Sequence, residues 1–116
     1  MPLEAMTSEQ RAVAEAILGG PRGSSGGLRG PFEALLWSPT LADRVQRVGE
    51  HMRFASSLPA ALNEMAIIMT ARRWTAQFEW YAHRRLAIEA GLSPEIADAI
   101  ERGDRPGVDD DGLAVY

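Results

Sequence analysis

The chain has 116 residues, of which 46% are hydrophobic and 24% are charged, a balance typical of one globular domain. It contains no cysteine, so disulfides, thiolate metal sites and thiol nucleophiles are excluded. All 12 basic residues are arginines and the net charge is -4, which excludes lysine Schiff-base chemistry and argues against a nucleic-acid-binding face.

The first predicted element is a helix capped by Thr7 or Ser8 and ended by Gly19-Gly20-Pro21. A Gly-rich loop then covers residues 19–31. It lacks the Gly-Lys-Ser/Thr ending of a phosphate-binding loop, so we expect a flexible connector. The alternative is an active-site flap whose two arginines, Arg22 and Arg29, meet an anionic ligand.

A short helix is predicted from Phe32 to Trp37, and proline then marks the start of two longer helices. Ser38-Pro39 opens a helix that runs to about Phe54. Ser57-Leu58-Pro59 opens the next one, which runs from Ala60 to about Arg73. The first of these carries an apolar stripe, formed by Leu41, Val45, Val48 and Met52.

The apolar run from Met65 to Met69 predicts that the middle of the 60–73 helix is deeply buried. A break is expected at Trp74-Thr75, with Thr75 capping a helix from Ala76 to Ala90. Without that break, Glu64 and Glu79 would lie roughly 22 Å apart along one straight helix. The break therefore decides whether these two carboxylates can share a site.

Gly91 is expected to end that helix, and Ser93-Pro94-Glu95 opens a short one that ends at Gly103. Residues 104–116 form either a tail or a truncated helix start, in which three aspartates precede five residues ending in Tyr116. So short an apolar stub is unstable alone. We therefore expect either a truncated chain or a stub that docks on a neighbouring subunit.

No segment predicts export or membrane insertion. The longest uncharged apolar run, Met65 to Ala71, is far too short to span a bilayer. The amino-terminal Met-Pro-Leu-Glu has neither a basic region nor an apolar signal core. These features predict a cytoplasmic protein.

Three residues are candidates for proton transfer. Glu79 and His83 lie four residues apart, on one face of the predicted helix. His83 is therefore either a base oriented by Glu79 or a structural histidine with a local hydrogen bond. Glu64 precedes a buried run, where a carboxylate needs a partner.

A metal site is the weaker interpretation of the same three residues. Glu79, His83 and Glu64 could supply three ligands. However, the paired Glu-x-x-His motif of di-iron bundles and the His-Glu-x-x-His motif are both absent. We therefore predict no metal and no cofactor.

Aromatic residues near Glu79 suit a ring-sized ligand, although such residues more often belong to a core or a subunit interface. We predict substrate contacts from Trp80 and Tyr81. Arg53, beside His51, is a candidate anchor for a carboxylate. His51 itself is predicted to be structural.

Three segments in this order carry a family resemblance: Leu62-Asn63-Glu64-Met65-Ala66-Ile67-Ile68, Glu79-Trp80-Tyr81-Ala82-His83, and Ala87-Ile88-Glu89-Ala90-Gly91-Leu92. They resemble the carboxymuconolactone decarboxylase and alkylhydroperoxidase-like family over about residues 30–106. The upstream Arg53-Phe54-Ala55-Ser56-Ser57-Leu58-Pro59 resembles its cysteine-free members.

The resemblance implies a compact, antiparallel, all-helical domain over residues 1–116, assembled as a trimer or hexamer with its site near a subunit boundary. The thiol positions of the peroxidase branch fall on Ala76 and Glu79, which excludes dithiol peroxidase activity. Members commonly continue beyond a segment like 109–116, which implies truncation here.

The decarboxylase branch carries Glu-x-x-x-His, matched by Glu79 and His83, with an upstream Glu matched by Glu64. The resemblance implies cofactor-free decarboxylase, lyase or isomerase chemistry on a small carboxylated lactone or ring acid. In that scheme His83 shuttles a proton, Glu79 orients it, Glu64 is a second acid or base, and Arg53 or a loop arginine holds the substrate carboxylate. The alternatives are a non-catalytic binding or assembly domain and a metal-dependent oxidase or peroxidase.

Overall fold

The structure is a computed structural model that describes residues 2–23 and 28–116. Within these ranges the regular elements are all helical and no strand is present, which confirms the all-α prediction. A 3₁₀ turn at Leu3–Ala5 comes first. The α-helices that follow in the described part of the chain are α1 (Ser8–Gly19), α2 (Pro31–Leu35), α3 (Pro39–Phe54), α4 (Ala60–Arg73), α5 (Gln77–Glu89), α6 (Pro94–Arg102) and α7 (Asp110–Val115).

The chain forms two compact units, residues 1–55 and 56–116. In the first unit, α1 and α2 both pack on α3. Its core consists of small and aliphatic side chains from these helices and the preceding turn, namely Met6, Val13, Ala14, Ile17, Leu36 and Ala42.

The predicted cap of α1 is confirmed. The Gln10 backbone N–H donates to the Thr7 hydroxyl at 3.2 Å, and the Thr7 backbone N–H donates to the Gln10 side-chain oxygen at 3.0 Å. This reciprocal arrangement satisfies two backbone donors that the first helical turn leaves without partners. Local sequence chemistry therefore fixes where α1 begins.

The start of α3 also lies where proline predicted it, but Ser38 makes no side-chain cap. The buried positions of α3 are Ala42 and Gln46. The predicted apolar stripe is exposed instead, as its member Val48 shows with a relative exposure of 63%. The side of α3 in the core is therefore the one that carries the small Ala42.

Arg22 packs inside the first unit. Its guanidinium carbon lies 4.7 Å from the Phe32 ring centroid and 5.8 Å from that of Phe54, within cation–π range. A Cβ at Gly49 would lie 3.1 Å from the Arg22 Nη2, so glycine gives this arginine room. Arg22 is therefore held against two aromatic rings of its own unit, and the flap interpretation stays a prediction. Arg29 is exposed, and residues 24–27 of the predicted loop lie outside the described residues.

In the second unit, α4 and α5 form a helical hairpin, α6 packs on both, and α7 packs on α4. Met65 and Ile68 are fully buried in its core, which confirms the burial predicted for this run. Burying such a side chain contributes about 1.5–3 kcal/mol each. The other core members are Ala87, Leu92, Ala97 and Ile100.

The predicted break between the hairpin helices is confirmed, but its predicted cap is wrong. The N-cap of α5 is Ala76, which has no side-chain cap. Thr75 instead adopts a positive φ of 55°, in the left-handed region that β-branched residues rarely occupy. The chain therefore reverses through backbone geometry rather than through a threonine cap.

The carboxyl-terminal elements are set by local hydrogen bonds. The Ser93 hydroxyl accepts from the Ile96 N–H at 3.3 Å, and Gly103 ends α6 with a φ of 80°, both as predicted. Asp109 caps α7 by accepting from the Gly112 N–H at 2.9 Å. Because α7 packs on α4, the segment expected to dock on a neighbouring subunit docks on its own chain.

The longest helix in the described ranges is α3, with 16 residues. None of the helices described is long and apolar enough to cross a membrane.

Candidate functional site

The α4–α5 hairpin brings the predicted catalytic residues together. Glu64 lies in the second turn of α4, and His83 lies in the middle of α5. The Nδ1 atom of His83 and the Oε2 atom of Glu64 are 2.7 Å apart, a short hydrogen bond that joins residues 19 positions apart in sequence. Chain reversal at residues 74–76 makes this contact possible.

Glu79 approaches the other nitrogen of the same imidazole. Its Oε2 atom lies 3.4 Å from the His83 Nε2, an i,i+4 contact along α5. This distance is longer than that of a well-formed charge-assisted hydrogen bond. The imidazole therefore lies between two carboxylates, and the one that binds it closely is Glu64 rather than the predicted Glu79. We refer to Glu64, Glu79 and His83 as the His83 cluster.

The two sides of the imidazole differ in their access to water. The side chain of Glu64 is 8% exposed, that of His83 is 13% exposed, and that of Glu79 is 37% exposed. The carboxylate on the Nδ1 side, Glu64, is therefore shielded by the hairpin, whereas the carboxylate on the Nε2 side, Glu79, is in contact with solvent. Any molecule that exchanges a proton with His83 would approach from the Glu79 side.

This asymmetry sets the hydrogen-bonding role of each ring nitrogen. A carboxylate that is ionised only accepts hydrogen bonds, and with Glu64 in that form the bond assigns a proton to Nδ1 of His83. In the neutral ring that leaves Nε2 as an acceptor beside Glu79. The arrangement suits a histidine that takes up and returns a proton at Nε2, with Glu64 holding the ring in place.

Small and apolar neighbours let the two helices approach closely. Ala87, one turn after His83, and Met65, next to Glu64, are both fully buried. Shielding by such neighbours strengthens a hydrogen bond relative to the same bond in water. The apolar run that predicted burial of α4 therefore also explains the surroundings of Glu64.

Trp80 and Tyr81, two of the predicted substrate residues, do not join the cluster. Trp80 is partly buried and packs against the core of the second unit. Tyr81 is 82% exposed and stands two residues from His83, so it points to a different side of α5. Arg53 belongs to the first unit, where its guanidinium carbon lies 4.9 Å from the Phe54 ring centroid.

Two depressions mark the described surface of the second unit. One, of about 160 Å³, is lined by Ala71, Arg72, Thr75, Ala76, Gln77, Trp80 and Glu101. The other is a groove of about 530 Å³, lined by Gln77, Trp80, Tyr81, Arg84, Arg85, Ile88 and Glu89. Neither set of lining residues includes a member of the His83 cluster.

Besides Trp80 and Tyr81, the groove contains residues that the sequence analysis did not single out, among them Gln77, Arg84 and Ile88. Gln77, Tyr81, Arg84 and Ile88 recur at spacings of four, three and four, which is the signature of one helix face. That pattern was available in the sequence. Spacing alone does not show whether such a helix face is exposed or buried.

Metal binding gains no support from the side-chain arrangement. Among residues 2–23 and 28–116, no group of three histidine, aspartate or glutamate side chains is placed to hold a metal ion. Glu64 and His83 bond to each other instead.

Comparisons of the chain with protein-family models, with curated proteins and with solved structures gave no match. The family resemblance therefore rests on the sequence segments quoted above.

Proposed function

We propose that this chain is a cofactor-independent lyase or isomerase of the carboxymuconolactone decarboxylase type, acting in the cytoplasm on a small carboxylated lactone or ring acid. The observation that carries the proposal is the imidazole of His83 between two carboxylates, one shielded and one open to solvent. Paired acids around a histidine are a common means of placing a proton at a chosen atom.

In the proposed reaction His83 acts through its Nε2 atom. When the substrate loses carbon dioxide, the carbon–carbon bond breaks and its electron pair passes to the adjacent carbonyl, forming an enolate. Protonated His83 then donates its Nε2 proton to the α carbon, and the ring regains a proton from Glu79 or water. Isomerisation would use the same atom, first to remove and then to return the α proton.

The two carboxylates would have different tasks. Glu64 holds the Nδ1–H and stabilises the imidazolium during proton transfer, which makes it a positioning residue. Glu79, more exposed and 3.4 Å from Nε2, would exchange protons with solvent. The proposed reaction thus uses both glutamates. Glu64, rather than Glu79, orients the imidazole.

Binding of the substrate carboxylate requires a guanidinium group aligned with it. Arg53 is the predicted guanidinium group, and Trp80 and Tyr81 are the predicted ring contacts, although Tyr81 lies on a different side of α5 from His83. Their roles stay predictions, separate from the proton-transfer step.

A second candidate function is a non-catalytic assembly domain. It is favoured by the exposed stripe on α3, formed by Leu41, Val45, Val48 and Met52. An exposed aliphatic stripe on a 16-residue helix is typical of a surface that pairs with another helix. The resemblance implies a trimer or hexamer.

The experiment is an assay of metal-free protein with 4-carboxymuconolactone and related keto and lactone acids, following carbon dioxide release and substrate loss. We expect His83→Gln to lower turnover by about 10²–10⁴-fold, the usual contribution of a general acid or base. His51→Gln is the matched control, because it changes the other histidine of the chain, which is exposed in α3.

Full activity in His83→Gln would refute the proton-transfer role. If the wild-type protein turns over none of these acids and sediments as an oligomer, the assembly function replaces the catalytic one. Far-ultraviolet circular dichroism of both variants establishes that the helices are retained.

A further inference from the structure

The exposed side of α3 carries aliphatic side chains at a regular spacing. They are 41% to 63% exposed, and we call them the α3 stripe: Leu41, Val45, Val48 and Met52. Their separations of four, three and four residues reproduce the a and d positions of a heptad repeat, so they form one narrow seam along the helix. We propose that this seam docks an acidic amphipathic helix of another protein.

One border of the α3 stripe is basic. Arg44 and His51 occupy the two g positions of the same repeat, next to the seam. Both side chains are exposed, and neither makes a hydrogen bond or an ion pair with the residues that the structure describes. Arg47 differs, because its Nε donates to the Asp43 Oδ1 at 3.0 Å. The guanidinium of Arg44 is therefore the charge that a docking helix would meet, and a carboxylate complements it.

A second copy of this chain would not supply that carboxylate. If two stripes paired in antiparallel fashion, Arg44 would face His51 of the second copy, which brings basic groups together. If they paired in parallel, Arg44 would face Gly49 of the second copy. The acidic residues of α3, Asp43 and Glu50, lie at f positions, away from the seam. The charges on the border therefore favour a different, acidic helix.

The length of the stripe limits how much surface the partner can bury. The 16 residues of α3 make a helix roughly 24 Å long. Contact with one helix over that length buries less than the roughly 1,200–2,000 Å² of a stable protein–protein interface. We therefore expect transient docking, with a Kd on the order of 10–100 µM.

A lipid surface suits this side of α3 less well than a helix does. Helices that lie on membranes present a wide apolar face and a polar face rich in basic residues. The seam of α3 is narrow, and the polar side of the helix carries Asp43 and Glu50, which anionic lipids would repel. A few aliphatic anchors bordered by charge are instead typical of docking between helices.

This inference rests on the assembly function proposed above and names its partner. It does not involve proton transfer at His83, which belongs to the second unit, whereas α3 belongs to the first. A binding assay that needs no turnover can therefore test it separately from the proposed reaction.

The test is a fluorescence-anisotropy titration of a labelled peptide with the full chain. The peptide is a helix of about three heptads with leucine at a and d and glutamate at e and g, and a twin carries lysine in place of glutamate. We expect the acidic peptide to bind with a Kd on the order of 10–100 µM and the basic twin to bind about tenfold more weakly. Arg44→Glu should weaken the acidic peptide and strengthen the basic twin, by about three- to tenfold each. Val48→Ser should weaken both by roughly tenfold, because an apolar contact is lost.

Arg11→Glu and Leu3→Ser are the matched controls, because they make comparable changes of charge and of apolar surface at exposed positions outside α3. Both should leave the Kd unchanged. Equal binding of the two peptides would overturn the proposal, as would the absence of saturation up to about 1 mM.

Two further results would assign the stripe to another occupant and also overturn the proposal. Sedimentation of the chain alone as a dimer that Val48→Ser dissociates would make the occupant a second copy, which keeps the assembly function. Binding to phosphatidylserine vesicles that Val48→Ser abolishes, without binding of the acidic peptide, would make it a membrane surface. A chain that binds neither peptide and sediments as a monomer would lose both this proposal and the assembly function.

Discussion

His83 contacts two carboxylates of the same chemical type whose surroundings differ. Glu64 is shielded in the hairpin and bonds to Nδ1 at 2.7 Å, whereas Glu79 is over one-third exposed and lies 3.4 Å from Nε2. The free energy lost on removing a hydrogen-bonding partner depends mainly on whether the group left behind regains water. The two glutamates should therefore differ in what they contribute to stability.

We expect Glu64→Ala to lower the free energy of unfolding of the second unit by about 2–3 kcal/mol, because it leaves the Nδ1–H of a shielded imidazole without its partner. Glu79→Ala should cost less than about 1 kcal/mol, since water replaces its contact. Urea unfolding followed by circular dichroism measures both variants. Equal losses would show that the difference in burial does not govern this cluster.

At the scale of elements, the turn between α4 and α5 determines whether the His83 cluster forms. Trp74, Thr75 and Ala76 reverse the chain, and the Ala76 N–H donates back to the Ala71 carbonyl at 2.8 Å. In this reversal Thr75 adopts a left-handed backbone conformation with a φ of 55°. Left-handed backbone at a β-branched residue costs roughly 1–2 kcal/mol or more.

Thr75→Gly should consequently stabilise the second unit, although glycine is intrinsically unfavourable in a folded chain. Relief of the left-handed backbone outweighs the added entropy of the unfolded chain, giving a net gain of about 0.5–1 kcal/mol. Thr70→Gly is the matched control within α4, where glycine should destabilise by roughly 0.3–0.5 kcal/mol, because threonine is already a weak helix former. Thermal unfolding of both variants gives the sign. A loss of stability in Thr75→Gly would show that the threonine side chain supports the turn.

The positions of the helices were largely predictable, because proline and glycine mark their ends and apolar spacing marks their cores. The break near Thr75 was also predictable, but the role of Thr75 was not. A threonine before a helix is ordinarily a cap, and only the backbone angle of the folded chain shows the left-handed conformation. At Thr75 the geometry of the hairpin therefore overrides the preference of threonine for a capping position.

The exposed face of α3 illustrates a second limit of prediction. An aliphatic stripe ordinarily faces the core, yet in α3 the core side carries Ala42 and Gln46. Periodicity identifies which residues share a face, but not what that face contacts. The same limit applies to the site: spacing placed Glu79 beside His83, whereas the closer contact with Glu64 depends on how α4 and α5 pack.

At the scale of the whole molecule, the two compact units each have a hydrophobic core made from their own residues. Ile17 is in the core of the first unit and Ile68 in that of the second, and both are almost fully buried. A core drawn from local helices is the usual basis for a cooperative unit of unfolding. The cluster of Glu64, Glu79 and His83 lies wholly within the second unit.

We expect these units to respond separately to core truncation. Ile68→Ala should destabilise the second unit by about 2–5 kcal/mol, and Ile17→Ala should do the same to the first, because each leaves a cavity in a closed core. Amide hydrogen exchange measures the effect helix by helix. Protection should fall in α4 to α6 for Ile68→Ala and in α1 and α3 for Ile17→Ala, with the other unit unchanged. Equal loss of protection in both units from either substitution would show that the chain unfolds as one body. The two cores would then not define separate cooperative units.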